Sequence, residues 1–265
     1  GIQLYSSHNN PISNNLVENN IEGIRLDYSN NNLISNNLAE NNSWGIILGD
    51  YSDNNLVSNN IVKNNDGYGI FLTYYSSNNA ISNNTCSNNF GGIFLDRSEN
   101  CVISNNTVEN NYYGINLVHS DNNILDNNTC ENSIYGYVIS LSDSDNNILS
   151  NNTVGNSSDY GIYLDDSSIN TIEKHLLENN LHGIYLWYSL VNTICNNTVE
   201  NNTYGIQLSY YSDNNHIYHN NILNNATQAY DECSNFWDNG YPSGGNYWSD
   251  YTGSDNYWGE NQDIP

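Results

Sequence analysis

The stretch Gly23 to Trp44 reads GIRLDYSNNNLISNNLAENNSW, and the chain up to about Asn225 is that 22-residue unit written repeatedly. The opening Gly recurs at Gly1, Gly23, Gly45, Gly69, Gly92, Gly114, Gly136, Gly161, Gly183 and Gly205, giving ten units with small insertions and no linker. Within a unit the apolar residues fall into three short groups, Ile24 with Leu26, then Ile34, then Leu38 and Ala39, separated by Ser and Asn. That spacing predicts three short strands and three turns per unit rather than a helix.

Three columns of polar residues run through the units. One is Asn10, Asn32, Asn55, Asn79, Cys101, Asn123, Asn147, Asn170, Asn192 and Asn215; a second is Asn15, Asn37, Asn60, Asn84, Asn106, Asn128, Asn152, His175, Asn197 and Asn221. A Ser column, from Ser7 and Ser29 to Ser189 and Ser212, is filled in every unit. If each unit is one coil of a solenoid, equivalent residues lie about 4.8 Å apart and their amides can bond to the copies above and below. Such ladders satisfy backbone groups that a buried turn would strand. The leucine-rich class is excluded because no part of the unit has a 3.6-residue period, and a disordered Asn-rich segment would not hold Ile and Leu in register. The expected fold is all-β, a right-handed parallel β-helix of about ten coils over residues 1–225, with a Trp/Tyr/Gly-rich cap over 226–265, read as truncated.

The units GIxLxxSxxNxISNNxVENN, followed by NFWDNGYPSGGNYWSDYTGSD at 235–255, resemble the NosD-like right-handed β-helix proteins of the surfaces of methane-cycling archaea. The resemblance covers nearly the whole chain, and the aromatic tail motif is its most specific part. It implies an extracellular, cell-surface setting. The family takes its name from a periplasmic protein of copper delivery, and that chemistry does not follow from the repeats.

Lys and Arg number 4 against 29 Asp and Glu, for a net charge of −25. A nucleic-acid partner is excluded by that balance, an anionic membrane surface is disfavoured, and no apolar run is long enough to span a bilayer. Acidity at this level suits a soluble surface that holds cations. Of the five cysteines, Cys86 and Cys130 take the inward position held elsewhere by Val and lie two coils apart, too far for a disulfide; pairing of Cys195 with Cys233 is left open. Copper is not expected, since there is no Met and His216 and His219 tend to opposite faces of an extended segment. Calcium is the cofactor the tail offers hard oxygen ligands for, at Asp250, Asp255, Asn256, Glu260 and Asp263.

Sequons at Asn83, Asn105, Asn127, Asn151 and Asn196 share one outward coil position, and those at Asn41, Asn156 and Asn201 share another, predicting a column of N-glycans along one edge. Asn225 falls on an inward column. Aromatic columns at Trp44, Tyr68, Tyr113, Tyr135, Tyr160 and Tyr204, with His182 in line, and at Tyr28, Tyr51, Tyr75, Tyr188 and Tyr211, supply rigid amphipathic area for sugar rings or a neighbouring protomer. The outward residues of the first strand, Gln3, Arg25, Ile47, Phe71, Phe94, Asn116, Ser140, Tyr163, Tyr185 and Gln207, form a neutral and aromatic strip. No lyase or hydrolase constellation is legible there: Arg25 and Arg97 are three coils apart, and Asp165 with Asp166 reads as a solvated turn. The expected function is therefore a non-enzymatic, extracellular structural rod that self-associates, with a carbohydrate-binding or polysaccharide-modifying module as the alternative.

Overall fold

The computed structural model describes residues 1–253. The chain winds into a right-handed parallel β-helix of about eleven coils with three parallel sheets. The second coil shows the plan: Glu22–Asp27 contributes to the first sheet, Leu33–Ser35 to the second and Leu38–Glu40 to the third. The first and third sheets have eleven strands and the second has ten. Each residue pairs with its counterpart one unit on, as Ile24 with Ile46, Ile34 with Val57 and Ala39 with Val62.

The interior follows from that register. Ile24, Leu26, Ile34 and Ala39 all point inward and are fully buried, and the same positions in later coils build one continuous apolar column. The column is narrow, and in most coils the opening Gly leaves no room for a side chain: a Cβ on Gly183 would stand 2.6 Å from the Gly205 carbonyl oxygen of the next coil.

The Asn-Asn doublets are explained by the corners. In coil two the residues Tyr28, Asn31, Asn36 and Asn41 all have positive φ, between 50° and 59°, and this recurs coil after coil. The left-handed conformation turns the chain sharply, and Asn tolerates it better than most residues. The next residue then points inward. At Asn106 the backbone N–H and Nδ2 both donate to Asn128 Oδ1, at 3.0 and 2.9 Å, and Nδ2 also donates to the Ile81 carbonyl at 2.9 Å. Its Oδ1 accepts from the N–H and Nδ2 of Asn84, at 2.9 and 3.1 Å. One buried amide thus joins three coils.

Both Asn ladders and the Ser ladder form as expected, with three refinements. A further Asn ladder, Asn20, Asn42, Asn65, Asn89 and Asn111, is interrupted at Ser133 and Ser157 and resumes at Asn180, Asn202 and Asn225. The tenth rung of the second ladder is Asn220 rather than Asn221, because Asn197 donates to Asn220 Oδ1 while Asn221 lies exposed in a strand. In the coil after Gly114 two extra residues shift the frame, so Val138, not Gly136, occupies the opening position, and Tyr137 takes the aromatic column in place of Tyr135.

The solenoid also runs past Asn225. Thr227–Asp231 is the eleventh strand of the first sheet and Tyr247–Trp248 the eleventh of the third. Asn235 and Asn246 continue the ladders from Asn215 and Asn220, and Trp237 and Trp248, 5.6 Å apart, lie over the end of the apolar column. All five cysteines are free, and Val108 separates Cys86 from Cys130, as the spacing predicts.

Two neighbouring positions test this account of the corners. Asn106→Ala strands donors and carbonyls in three coils and is expected to cost on the order of 3 kcal/mol, whereas Asn105→Gly, at the exposed left-handed position, is expected within about 0.5 kcal/mol of the parent by denaturation.

His175 supplies a second test. It replaces Asn in the second ladder, and its Nδ1 accepts the Asn152 N–H at 3.0 Å while Nε2 has no partner. Burial pushes its pKa down to about 4, backbone interactions at Asn152 and Leu149 only partly opposing. Between the ordinary pKa near 6.5 and about 4 the unfolded chain therefore binds more protons, so stability is full above pH 6.5 and falls as pH drops. His175→Asn is expected to remove about 2 kcal/mol of the stability lost between pH 7 and pH 5, read as melting temperature at each pH.

Candidate functional site

The outer face of the first sheet carries the strip anticipated from the sequence. Strand pairing aligns Gln3, Arg25, Ile47, Phe71, Phe94, Asn116, Ser140, Tyr163, Tyr185 and Gln207, and extends the column to Tyr230. Beside it run Trp44, Tyr68, Tyr113, Tyr137, Tyr160, His182 and Tyr204. The rings stack on one another: Tyr68 and Phe94 centroids are 4.5 Å apart, Tyr137 and Tyr163 4.7 Å, Tyr160 and His182 4.9 Å, His182 and Tyr204 4.9 Å. Most ring faces in these blocks are therefore covered by neighbouring rings, which stabilises the face but leaves chiefly edges and hydroxyls for a ligand. Burial raises the phenol pKa of Tyr160 to about 12 and that of Tyr163 further, with nearby Asp159 and Asp165 adding to the effect, so these hydroxyls remain proton donors.

The stack stops at Tyr204, because the next coil has Thr227 there, and a concavity of about 560 Å³ opens at this point. Tyr210 and Tyr230, about half exposed, stand at its sides, and His182, Tyr185 and Gln207 form its floor. Gln207 Nε2 donates to Ser209 Oγ at 3.2 Å, and the Gln207 side chain also lies against the His182 imidazole, whose Nδ1 is shielded from solvent together with Gln207 Oε1. Burial lowers the His182 pKa, the Gln207 side chain partly opposing, so the imidazole is neutral at pH 7. At the rim the Glu232 carboxylate accepts the Tyr210 N–H at 3.1 Å and the Tyr230 hydroxyl at 3.3 Å. A neutral imidazole, a carboxylate, an amide and phenols around one opening can hold a polyhydroxylated molecule and exchange protons with it.

Other anticipated residues lie elsewhere. Tyr28, Tyr51, Tyr75, Tyr188 and Tyr211 are exposed along the corner that follows the first strand, and Tyr135 stacks on Tyr112 in a separate column with Phe90. Asn83, Asn105, Asn127, Asn151 and Asn196, and likewise Asn41, Asn156 and Asn201, are exposed left-handed corner residues, whereas Asn225 is buried. Arg25 is held by Glu22 and Asp27, each at 2.7 Å, and Arg97 by Asp96 at 3.0 Å. Asp165 and Asp166 do not converge: Asp165 ends a strand and is half-buried, Asp166 is an exposed corner. Of the calcium set, Asp250 is exposed, and Asp255, Asn256, Glu260 and Asp263 lie outside the described residues.

A model of the family described as periplasmic copper-binding protein (NosD) matches residues 1–133 and 91–253. The chain belongs to the NosD family. A search of curated protein sequences returns no match. Among solved structures, the NosD-family chain resembles the mannuronan C-5 epimerase AlgE6 A-module of Azotobacter vinelandii, with 17% identity, TM-score 0.53, covering 83% of this chain and 63% of that one. A double mutant of the periplasmic alginate epimerase AlgG gives 16% identity and TM-score 0.58, covering 85% of this chain and 77% of that one. A mutant of the DFA-IIIase of Arthrobacter chlorophenolicus A6, in complex with DFA-III, gives 11% identity and TM-score 0.59, covering 76% and 58%. The chain thus spans less than two thirds of the AlgE6 module and of the DFA-IIIase.

These likenesses establish a shared fold. They also correct the expectation that the chain is not an enzyme: epimerases and DFA-IIIase are built on this same solenoid, so neither the fold nor a lack of lyase motifs excludes catalysis. Copper, which the family description implies, finds no fitting donor cluster among the described residues. The sequence has no Met, Cys86 and Cys130 are buried in the apolar column, His216 stacks on Phe236, and His219 Nε2 bonds to the Ser243 carbonyl. Among the described residues no three His, Cys, Asp or Glu side chains converge.

Proposed function

We propose that the protein binds and modifies a neutral polysaccharide along the outer face of the first sheet, one sugar residue seating between His182 and Glu232. The observation that carries this reading is the opening itself, where the imidazole of His182, the amide of Gln207 and the carboxylate of Glu232 come together beside the rings of Tyr185, Tyr210 and Tyr230. A sugar offers hydroxyl donors and acceptors to the polar groups that line the opening and apolar C–H faces to the rings. His182 and Glu232 are the groups placed to take and return a proton on that residue.

Charge supports the neutral class. A uronate polymer carries a carboxylate on every sugar, yet no Lys or Arg lines the opening and the chain's net charge is −25. Long-range repulsion would oppose an acidic chain. The polysaccharide enzymes among the structural neighbours support the use of this solenoid for long carbohydrate chains. The setting the family description and acidity support is an exported one, in the periplasm or at the cell surface.

Binding to an array of neutral and uronate oligosaccharides tests the reading, with Gln207→Ala expected to weaken the best neutral ligand about tenfold and Tyr112→Ala, in the separate column with Phe90 and Tyr135, to leave it unchanged. Glu232→Gln should stop conversion of that ligand, followed by product chromatography, at near-parent affinity. A preference for uronates, or indifference to Gln207→Ala, overturns it.

A further inference from the structure

The corner following the first strand departs from the others in a way folding does not require. Its left-handed position is Ser6, Tyr28, Tyr51, Tyr75, Arg97, His119, Asp143, Asp166, Tyr188 and Tyr211, with φ between 47° and 64° and no Asn or Gly. At the other left-handed corners Asn fills 26 of 30 positions. Bulky Tyr and Arg are disfavoured in this conformation, at about 1 kcal/mol or more each. In three coils a second left-handed residue, Asp50, Tyr74 or Tyr210, precedes it; Asn would serve this conformation as it does at the other corners, so the side chains are held for what they present outward.

Backbone bonding keeps the column in line: His119 N–H donates to the Ser142 carbonyl, Asp143 N–H to Asp165, Asp166 N–H to Trp187 and Tyr188 N–H to Tyr210. The order along it is tyrosines, Arg97, His119, Asp143, Asp166, tyrosines. Tyr51 and Tyr75 stack at 5.6 Å and Tyr188 and Tyr211 at 5.7 Å, all at least 42% exposed. Arg97 and His119 thus occupy one half of the ridge centre and Asp143 and Asp166 the other; within the chain Arg97 is held by Asp96 at 3.0 Å and His119 Nδ1 lies 3.8 Å from Asp143.

We propose that this ridge is the contact of an antiparallel, side-by-side dimer of the chain, with a two-fold axis between His119 and Asp143. Rotation about that axis sets His119 against Asp143 of the second copy, Arg97 against Asp166, Tyr75 against Tyr188 and Tyr51 against Tyr211. A two-fold interface requires such self-complementarity, and a parallel pairing fails it by setting Arg97 against Arg97. At about 4.8 Å per coil the contact from Tyr51 to Tyr211 runs about 34 Å. The tyrosines supply the buried area and the charges fix direction and register, since exposed ion pairs add little affinity themselves. The ridge ends at Tyr188 and Tyr211, beside the Tyr210 wall of the opening, and the inference does not depend on the carbohydrate reading.

Sedimentation equilibrium of the full chain at physiological salt tests it. The parent is expected to be a dimer. Arg97→Asp and Asp166→Arg each place like charges in contact and should weaken the dimer at least about tenfold, while the double variant restores it to within about threefold. Both substitutions use residues the same backbone position already carries, and circular dichroism confirms the fold. A monomer at all concentrations, single variants without effect, or a double variant no better than the singles overturns the proposal.

Discussion

The structure depends on the inward Asn amide that follows each left-handed corner residue. A coil of 22 to 24 residues has to turn sharply several times while its turns remain stacked against water-free neighbours. Each turn leaves backbone donors and acceptors facing the interior, where an unpaired group costs about 1–3 kcal/mol. The Asn side chain carries both a donor and an acceptor at backbone-like spacing, so one residue satisfies the coil before it and the coil after it, as Asn106 does with Ile81 and Asn128. The apolar column stabilises the rod, but the amides set the register.

Everything on the outside inherits that register. Since no coil can slip against the next, side chains at one position form straight columns, and a column can be given over to one use. On the first sheet the column becomes a stack of aromatic rings that ends at a polar opening. On the adjoining corner it becomes a ridge of tyrosines about a charged centre. The second-ladder corner keeps Asn almost throughout, with Lys174 and His219 the exceptions. The strain tolerated at Tyr28, Tyr51, Tyr75, Tyr188 and Tyr211 shows how far surface use departs from what the backbone prefers.

The fold was legible because its signals are periodic. Ile24, Leu26 and Ile34 fix the strands, and the Asn and Ser columns fix the corners, independently of any distant contact. Misreadings arose where the period broke. Two extra residues between Gly114 and Val138 put Gly136 and Tyr135 out of frame, and at Asn220-Asn221 a further Asn left two choices that only inward pairing resolves. The strip with His182 and Gln207 could be listed in order from the sequence, but its opening could not be seen. The groups that complete it, Tyr230 and Glu232, sit where the repeat has decayed, and their alignment with Gln207 and Ser209 depends on an eleventh strand without the repeat's spelling. The expectation against catalysis rested on missing motifs of known enzymes, and enzymes that share this solenoid at 11–17% identity show that the fold does not carry that exclusion.

Hydroxyl-radical footprinting with mass-spectrometric readout, in the presence and absence of a bound neutral oligosaccharide, tests most directly where this face meets its ligand. The account predicts protection of Tyr204, Tyr210 and Tyr230, with Phe90, Tyr112 and Tyr28 unchanged. Protection centred on Phe90 and Tyr112, or none at the opening, would contradict it.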